Sequence, residues 1–193
     1  MQYFAIYKPY GFLSQFTREE PEHAVLGDLH PFPPDVYPLG RLDKDSEGLL
    51  LLSNDRSQNH RLLHPSNRHQ RCYWAQVEGA VHQEALDALS QGVEIRIKGK
   101  THHTLPCKAE LLSNTPAVPD RDPPIRMRKA IPTSWVQLEL SEGKNRQVRR
   151  MCAAVGFPVL RLIRVRIGQL ELPEFRVGGV WELTKEEWEK AFS

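Results

Sequence analysis

The residues best suited to chemistry lie in a short charged loop that precedes a run of four leucines. From Arg41 to Glu47 the loop holds three carboxylates and two cations within seven residues. Charges at this density are costly to hold beside a core unless they pair or take part in a reaction. The run Leu49–Leu52, preceded by Gly48, predicts a fully buried strand. We therefore expect a rigid support for the loop and a function for at least one of its charged side chains.

Taken alone, the loop has simpler interpretations. It could be a solvated turn whose charges neutralise each other. It could also be a calcium loop, because Asp43, Asp45, Glu47 and Gly48 occupy the first, third, fifth and sixth positions of an EF-hand. The twelfth position requires a bidentate acid but is Asn54. The sequence therefore argues against calcium.

The same loop resembles a family signature. The segment from Gly40 to Asp55, GRLDKDSEGLLLLSND, is similar to the signature of the ribosomal RNA pseudouridine synthases. The resemblance is to the group that contains the A-type enzymes of the small ribosomal subunit and the B-, E- and F-type enzymes of the large subunit. Three further segments resemble motifs of that family in the same order: RCYWAQVEG around Tyr73, EGKNRQVRRM over Glu142–Met151, and the basic segment that leads to Ile167-Gly168. The resemblance covers the chain from Lys8-Pro9 onward to about Gly168.

This resemblance implies the pseudouridine synthase catalytic fold, an α+β fold with a mostly antiparallel mixed sheet and a central RNA-binding cleft. It also implies an isomerase that converts a specific uridine to pseudouridine, with the base flipped out of its stack. The expected partner is ribosomal RNA, above all 23S rRNA. The E-type members are most similar, because no room for an S4 domain precedes the first predicted strand. We expect one catalytic domain over residues 1–193, made of two fused lobes, that acts as a monomer without a cofactor.

The resemblance assigns roles to individual residues. Asp43 would be the catalytic aspartate, and Tyr73 would stack on the uracil and take a proton from C2′. Arg149, by its place in NRQVR, would supply the cation that keeps the Asp43 carboxylate ionised. Arg41 would fill the space left by the flipped base, and Leu162 would line the apolar side of the uracil pocket. A structural salt bridge for Arg41 and a core aromatic for Tyr73 are the simpler alternatives. Attack at C1′ and a glycal route both stay open.

Charge is distributed unevenly along the chain, although its formal net value is only +2. Between Lys144 and Arg166 there are seven Lys or Arg and no acid, whereas Glu171–Ser193 holds six acids against three bases. A segregated basic stretch is typical of a polyanion site, but a charge run can also be a solvated helix face. The residues expected to contact substrate or RNA are Arg41, Leu162, Lys144, Arg146, Arg150 and Arg164.

Other kinds of site find little support. His60 and His64 have the spacing of a metal pair but lack the Glu of H-E-x-x-H and a third ligand, so we predict no metal. Cys72, Cys107 and Cys152 are far apart and odd in number, so we expect reduced thiols. No P-loop or dinucleotide motif occurs, in keeping with an isomerisation that needs no cofactor.

The function classes can be narrowed further. No signal peptide and no apolar run long enough to span a bilayer are present, which predicts a cytoplasmic protein without a membrane partner. The main alternative to an enzyme is a non-catalytic RNA-binding or ribosome-assembly module with the same fold. A metal hydrolase is a more distant alternative, and 16S or transfer RNA remain possible targets.

The elements alternate in a way that indicates a mixed α+β class. The predicted strands are Gln2–Lys8, Val36–Leu39, Leu49–Leu52, Arg71–Glu78, Val93–Ile97, Thr104–Leu112, Trp135–Leu140 and Pro158–Ile167, with Phe12–Thr17 resembling a continuation of the first. The predicted helices are Ala24–His30, a helix capped by Asn54 or Asp55 that runs to about His64, His82–Gln91, Gly143 or Asn145 to Gly156, and Thr184–Phe192. The last is opened by a Thr cap with Glu187 three residues on. A hairpin turn is expected at Lys98-Gly99-Lys100. The long loop Ser113–Pro132 is expected to meet RNA through Arg126, Arg128 and Lys129.

Overall fold

The computed structural model describes residues 1–67, 69–125, 128 and 130–193. The strands are β1 (Tyr3–Lys8), β2 (Tyr37–Leu39), β3 (Glu47–Ser53), β4 (Arg71–Glu78), β5 (Glu94–Ile97), β6 (Lys100–His103), β7 (Lys108–Leu111), β8 (Thr133–Leu140), β9 (Val159–Ile167), β10 (Leu170–Glu171) and β11 (Val180–Glu182). The helices are α1 (Ser57–Leu63), α2 (Gln83–Gln91), α3 (Gln147–Ala154) and α4 (Lys185–Glu189), with 3-10 turns at Leu26–Asp28, Pro65–Asn67 and Lys190–Phe192.

The chain divides into two compact units. The first unit contains Met1–His69 and Ile163–Ser193, and the second contains Gln70–Leu162. Strand β9 starts in the second unit and ends in the first. The prediction of a single domain made of two fused lobes stays a prediction.

In the first unit, β3 is buried along its whole length. It pairs antiparallel with β1, which pairs antiparallel with β11 on its other edge. It also pairs antiparallel with β2, and its start makes a short parallel pairing with β9. Leu49–Leu52 have no exposed surface, so both faces of the strand are covered, as a continuous apolar run predicts. Burial of each leucine contributes on the order of 1.5–3 kcal/mol.

The parallel pairing of β3 with β9 requires a glycine at position 48. Gly48 has a φ of +101°, and a Cβ added to it would lie 2.3 Å from the carbonyl oxygen of Arg164. Only a residue without a side chain lets the two backbones approach so closely. Gly48 therefore permits the basic strand to lie directly against the start of the leucine strand.

The last helix completes the core of the first unit. Trp188 on α4 is fully buried, stacks on Tyr3 with ring centroids 4.7 Å apart, and donates to the amide oxygen of Gln58. The Thr184 hydroxyl accepts from the amide of Glu187, whose carboxylate accepts from the Thr184 amide. The predicted Thr cap is therefore confirmed as part of a capping box.

In the second unit, β8 pairs antiparallel with β4 on one side and with β7 on the other, and β5 forms a hairpin with β6. Helices α2 and α3 supply apolar side chains to the core that these strands cover. The buried core comprises Ala75, Val77, Leu86, Leu89, Ile95, Val136, Leu138, Leu140, Val148, Met151, Cys152 and Leu162. The predicted α+β class with mostly antiparallel pairing is confirmed.

Two predicted elements near the start of the chain differ from the structure. Phe12–Thr17 is not a strand: Phe12 makes one isolated bridge with Ala24. Gly11, with a φ of +83°, turns the chain away from β1 before this segment begins. The predicted helix Ala24–His30 is reduced to the 3-10 turn Leu26–Asp28.

Two further predictions fail in the second unit. The hairpin partner of β5 is β6, which lies wholly before the predicted strand Thr104–Leu112. Of that predicted strand only β7 is formed, because Pro106 has no amide to donate to a ladder. Helix α3 begins at Gln147, later than the predicted Gly143 or Asn145, because Arg146 has a left-handed φ of 51° that a helix cannot contain.

The long loop after β7 contains no helix or strand among its described residues, as predicted. Arg128 in this loop forms an ion pair with Glu78 at 2.9 Å. Arg126 and Lys129, which were also predicted to meet RNA, lie outside the described residues.

Candidate active site

The backbone of the charged loop is anchored on both sides of Asp43. The buried hydroxyl of Ser14 accepts a hydrogen bond from the Leu42 amide at 3.0 Å and donates one to the Leu42 carbonyl at 2.9 Å. The Gly11 amide donates to the carbonyl of Lys44 at 2.8 Å. Asp43 therefore lies between two residues whose main chain is held by the segment that follows β1.

The side chains of the loop alternate between surface and interior. Arg41 and Lys44 are exposed, Leu42 and Ser46 are buried, and Asp43 is half-buried. The Ser46 amide donates to the Asp43 carbonyl at 3.0 Å, which closes a tight turn. A half-buried carboxylate on a constrained main chain can meet a substrate from solvent without losing its position. This arrangement suits a catalytic aspartate.

A fully buried lysine lies within electrostatic reach of the loop. Lys8 has no exposed surface, and its Nζ donates to the carbonyls of Pro9 and Phe12, both at 2.8 Å. Burial lowers the pKa of the Lys8 ammonium to about 7. The carboxylates that oppose this shift are Glu47, Asp45 and Asp43.

Two more charged side chains are buried where the loop meets β3. Glu47 is 2% exposed, and its Oε1 accepts a hydrogen bond from the Tyr7 hydroxyl at 3.1 Å. Arg164 is 5% exposed, and its Nε donates to the Leu49 carbonyl at 2.8 Å. Arg164 thus supports β3 from β9, and its positive charge adds to the lowering of the Lys8 pKa. Its predicted contact with RNA stays a prediction.

Tyr73 and Leu162 belong to the second unit. Tyr73 lies on β4 opposite Leu138 of β8, is half-buried, and packs against the core of that unit. Leu162 is a buried member of the same core. The partial exposure of Tyr73 leaves part of its side chain accessible, which the stacking role requires.

The third motif forms a turn held by two side chains. Gln147 is buried, and its Oε1 accepts from the Lys144 amide at 2.9 Å while its Nε2 donates to Glu142 Oε1 at 2.6 Å. Glu142 Oε1 also accepts from the Leu105 amide at 2.7 Å, and its Oε2 lies 3.2 Å from His102 Nε2. These contacts fix the backbone from which the basic side chains of the motif project.

The basic side chains of this motif have different surroundings. Lys144 and Arg146 are exposed, whereas Arg149 and Arg150 are half-buried. Arg149 Nη1 lies 3.4 Å from the carbonyl oxygen of Val159, to which it donates. The predicted site residues are therefore divided between the units. Asp43, Arg41 and Arg164 belong to the first unit, and Tyr73, Arg149, Leu162, Lys144, Arg146 and Arg150 belong to the second.

Sequence reasoning missed three residues that shape the site. Lys8 is only the last residue of the predicted strand Gln2–Lys8, and a charged residue next to Pro9 gives no sign that it is buried. Ser14 carries no motif, because its partner is 28 residues away. Gln147 has no predicted role in the third motif, although it lies three residues after Lys144, the spacing at which a Gln side chain reaches back to a backbone amide in a capping box.

The described residues contain no group of three His, Cys, Asp or Glu side chains that could hold a metal. His60 and His64 lie with ring centroids 4.6 Å apart, and His64 Nδ1 is 2.7 Å from the Ser66 hydroxyl. The cysteines are free thiols. Burial raises the pKa of Cys107 to about 11 and that of Cys152 to about 12, so neither is a nucleophile near neutral pH. None of the described helices combines the length and apolar character that crossing a bilayer requires.

Comparison of the sequence with known proteins identifies its relatives. Residues 2–154 match the RNA pseudouridylate synthase family. The chain is 49% identical over 166 residues to ribosomal large subunit pseudouridine synthase E of Xanthomonas axonopodis pv. citri, covering 86% of this chain and 85% of that protein. It is 37% identical over 185 residues to ribosomal large subunit pseudouridine synthase B of Bacillus subtilis, covering 96% of this chain and 69% of that protein.

The fold agrees with the sequence comparison. A crystal structure of a pseudouridylate synthase matches with a TM-score of 0.80 at 29% identity, covering 98% of this chain and 73% of that one. The predicted fold is thereby confirmed. The chain belongs to the RNA pseudouridine synthase family, and it is an isomerase of the class that modifies ribosomal RNA.

Proposed function

We propose that this enzyme isomerises a specific uridine of 23S rRNA to pseudouridine and that Asp43 is its catalytic carboxylate. The observation that carries the proposal is the anchoring of Leu42 and Lys44, which holds Asp43 half-buried in the loop that precedes β3. The names of the relatives support the choice of 23S rRNA, because they are large-subunit synthases.

The reaction breaks the N1–C1′ bond, turns the uracil, and joins C5 to C1′. The proton on C5 then leaves and N1 gains one, so the product is an isomer of the substrate. Positive charge develops at C1′ as the first bond breaks, and the Asp43 carboxylate meets it, either by bonding to C1′ or by acting as its counter-charge. When Asp43 acts only as a counter-charge, Tyr73 takes the proton from C2′ to give a glycal. This proton returns to C2′ when C5 bonds to C1′.

The remaining predicted residues serve binding. The target base leaves its stack at a cost of a few kcal/mol, which phosphate contacts of Lys144, Arg146 and Arg150 offset. Arg41 is exposed beside Asp43 and fills the vacated position. Leu162 lines the apolar side of the uracil pocket, and Arg149 supplies the positive charge that keeps the Asp43 carboxylate ionised. Arg164 contacts the RNA. We propose that the enzyme acts in the cytoplasm as a monomer and without a cofactor.

The test is pseudouridine formation on a protein-free 23S rRNA transcript, detected as a carbodiimide-dependent stop of primer extension. The natural chain is expected to give one new stop, and Asp43→Asn is expected to abolish it, because the amide cannot offer negative charge to C1′. Asp45→Asn is the matched control, since it makes the same change two residues along the loop and should keep the stop. Filter binding of the transcript and urea unfolding show whether each variant is folded and binds RNA.

A stop that persists in Asp43→Asn would overturn the role of Asp43. A natural chain that binds 23S, 16S and transfer RNA without producing a stop on any of them would favour the binding module in place of the enzyme. A stop on 16S or transfer RNA alone would retain the reaction and replace the substrate.

A further inference from the structure

Two basic residues have a positive φ, a backbone conformation that few residues besides Gly, Asn and Asp adopt. Lys98 has a φ of 48° and Arg146 a φ of 51°, and within the described part of the chain they are the only residues besides glycine with positive φ. Both belong to the second unit. Strained residues of this kind are concentrated at sites of function, where their side chains must point in a particular direction.

Lys98 lies at the tip of the β5–β6 hairpin. Lys98 and Gly99 are the two residues that connect the strands, and both have positive φ, as in a type I′ turn. Asn-Gly is the favoured sequence for such a turn, so Lys98 occupies a position for which Asn is better suited. The hairpin carries exposed Arg96, Lys98 and Lys100 against one acid, Glu94.

The hairpin is joined to the turn that precedes α3. Arg150 Nη1 donates to the Arg96 carbonyl at 2.5 Å, while its Nε donates to the Asn145 carbonyl at 3.1 Å and its Nη2 to Asn145 Oδ1 at 3.3 Å. Arg150 thereby links the main chain of β5 to the basic turn. Glu142 makes a second link, because it contacts His102 on β6 as well as the side chain of Gln147 on α3. The two basic segments therefore form one surface.

Four cations of this surface, Arg96, Lys98, Lys100 and Lys144, are exposed. Within the described part of the chain, Arg96, Lys98, Lys100 and Lys144 make no ion pair, whereas Lys108 on β7 pairs with Glu110 at 3.0 Å. Exposed cations without acidic partners are suited to phosphate groups, because binding releases the counterions that the polyanion carries. Glu142 is only 11% exposed and is occupied by its own contacts, so it adds little negative charge to the surface.

We propose that the surface formed by Arg96, Lys98, Lys100, Lys144 and Arg146, here called the hairpin face, binds the sugar–phosphate backbone of an RNA helix in the substrate. The proposal rests on the proposed RNA substrate and adds to it a contact element, the β5–β6 hairpin. The hairpin face holds mainly cations and offers few groups that could read bases, so it contributes affinity and orientation without sequence preference.

The test uses the double variant Lys98→Asn/Lys100→Gln in the full chain. Asn suits the positive φ of position 98, so the turn is retained while two charges are removed. The control is Lys108→Gln/Lys185→Gln, which removes two exposed charges elsewhere. Binding of the protein-free 23S transcript is measured between about 50 and 200 mM salt. The hairpin variant is expected to lose affinity by about tenfold and to lower the slope of log affinity against log salt by about two.

The control pair should change affinity by less than about twofold, since surface charges outside the contact add little. The melting temperature of the hairpin variant should equal or exceed that of the natural chain, because Asn-Gly is the better turn. Natural affinity and natural salt slope in the hairpin variant would overturn the proposal, as would an equal loss in the control.

Pseudouridine formation is measured on the same preparations, which separates this proposal from the proposed function. If the natural chain forms pseudouridine and the hairpin variant has an unchanged KM for the transcript, the proposed RNA contact of the hairpin face is wrong and the catalytic proposal stands. If the natural chain forms none but the salt slope falls in the hairpin variant alone, the hairpin face stands and the catalytic proposal is wrong.

Discussion

At the scale of single residues, the ionisable groups around the loop are unequal in exposure. Asp43 is half-buried, while Lys8 has no exposed surface. The Lys8 ammonium has a pKa of about 7 in the folded chain, against its usual 10.5, with burial as the main cause. Between these values the unfolded chain holds a proton that the folded chain has released. The contribution of Lys8 to the free energy of unfolding therefore increases as the pH rises above about 7 and is lost as it falls.

The difference between the Lys8 pKa values of the folded and unfolded chain predicts a pH dependence of stability that Lys8→Met removes. Between about pH 7 and 9 the natural chain should gain about 2 kcal/mol in the free energy of unfolding relative to the variant, since each pH unit of full proton release contributes about 1.4 kcal/mol. Urea unfolding at several pH values measures both proteins. Other groups titrate in both chains and cancel in the difference. Parallel pH profiles would contradict the assignment of a lowered pKa to Lys8.

The roles proposed for Asp43, Tyr73 and Arg149 come from motifs with fixed spacing, and they stay predictions. The contacts of Lys8 and Ser14 could not, since they depend on how distant segments meet. Gly48 is an intermediate case: the sequence marked it as the start of a strand, but only the 2.3 Å approach to Arg164 explains why no other residue fits there.

At the scale of elements, the segment after β1 determines the geometry of the loop. It has no regular structure, yet it supplies both main-chain anchors, Ser14 to Leu42 and Gly11 to Lys44. Catalysis is sensitive to displacements of the reacting groups by about 1 Å. The segment is therefore a positioning element for Asp43, if Asp43 is the catalytic carboxylate.

Ser14→Ala tests this role. The change removes both hydrogen bonds to Leu42, so we expect a loss of about 1–3 kcal/mol in stability. We also expect a decrease of about 10- to 100-fold in the single-turnover rate of pseudouridine formation. Ser53→Ala is the matched control, because the Ser53 hydroxyl is also buried and bonds to the main chain of Gln2 and Asp55 at the far end of β3. It should lower stability similarly and leave the rate within about threefold. Equal rates in the two variants would exclude a positioning role for Ser14.

Elements with strong periodic or continuous apolar patterns could be predicted from the sequence to within a residue or two, as β3, β4 and α2 illustrate. The start of α3 could not, because Arg146 adopts a left-handed conformation that its residue type does not favour and that the sequence does not indicate. The turn of the β5–β6 hairpin could be predicted, but the strand that pairs with β5 could not. The break between β6 and β7 around Thr104 and Pro106 is not accompanied by a change in hydrophobic pattern.

At the scale of the whole molecule, the two units differ in how the chain builds them. The second unit is one continuous segment, Gln70–Leu162, with its own buried core. The first unit is made from two segments that are far apart in the sequence. A continuous segment with its own core can fold without the rest of the chain.

We therefore expect residues 70–162, produced alone, to unfold cooperatively in urea with the secondary structure of α2, α3 and the β4–β8–β7 strands. The polypeptide should bind RNA weakly and form no pseudouridine, because it lacks Asp43. Residues 1–69 alone are the control and should show no cooperative transition, because they lack β9 and β11. Circular dichroism across a urea titration measures both. A gradual, non-cooperative change in residues 70–162 would contradict this expectation.

The division into units was predicted only as two lobes of one domain, and its boundaries did not emerge from composition. No linker rich in Gly or Pro marks Gln70 or Leu162, and β9 passes through the second boundary as a regular strand. The fold class was accessible because the motifs identified the family, whereas periodicity alone indicated only a mixture of helices and strands.

The parallel pairing of Gly48 with Arg164 has a consequence for the order of events during translation. The nascent chain presents the charged loop early, but the strand that completes its support is made only after the whole second unit has been synthesised. A polypeptide still attached to the ribosome, with β9 inside the exit tunnel, would hold Asp43 on an incomplete scaffold. We expect the ability to modify RNA to be acquired late, once β9 has left the tunnel and paired with β3.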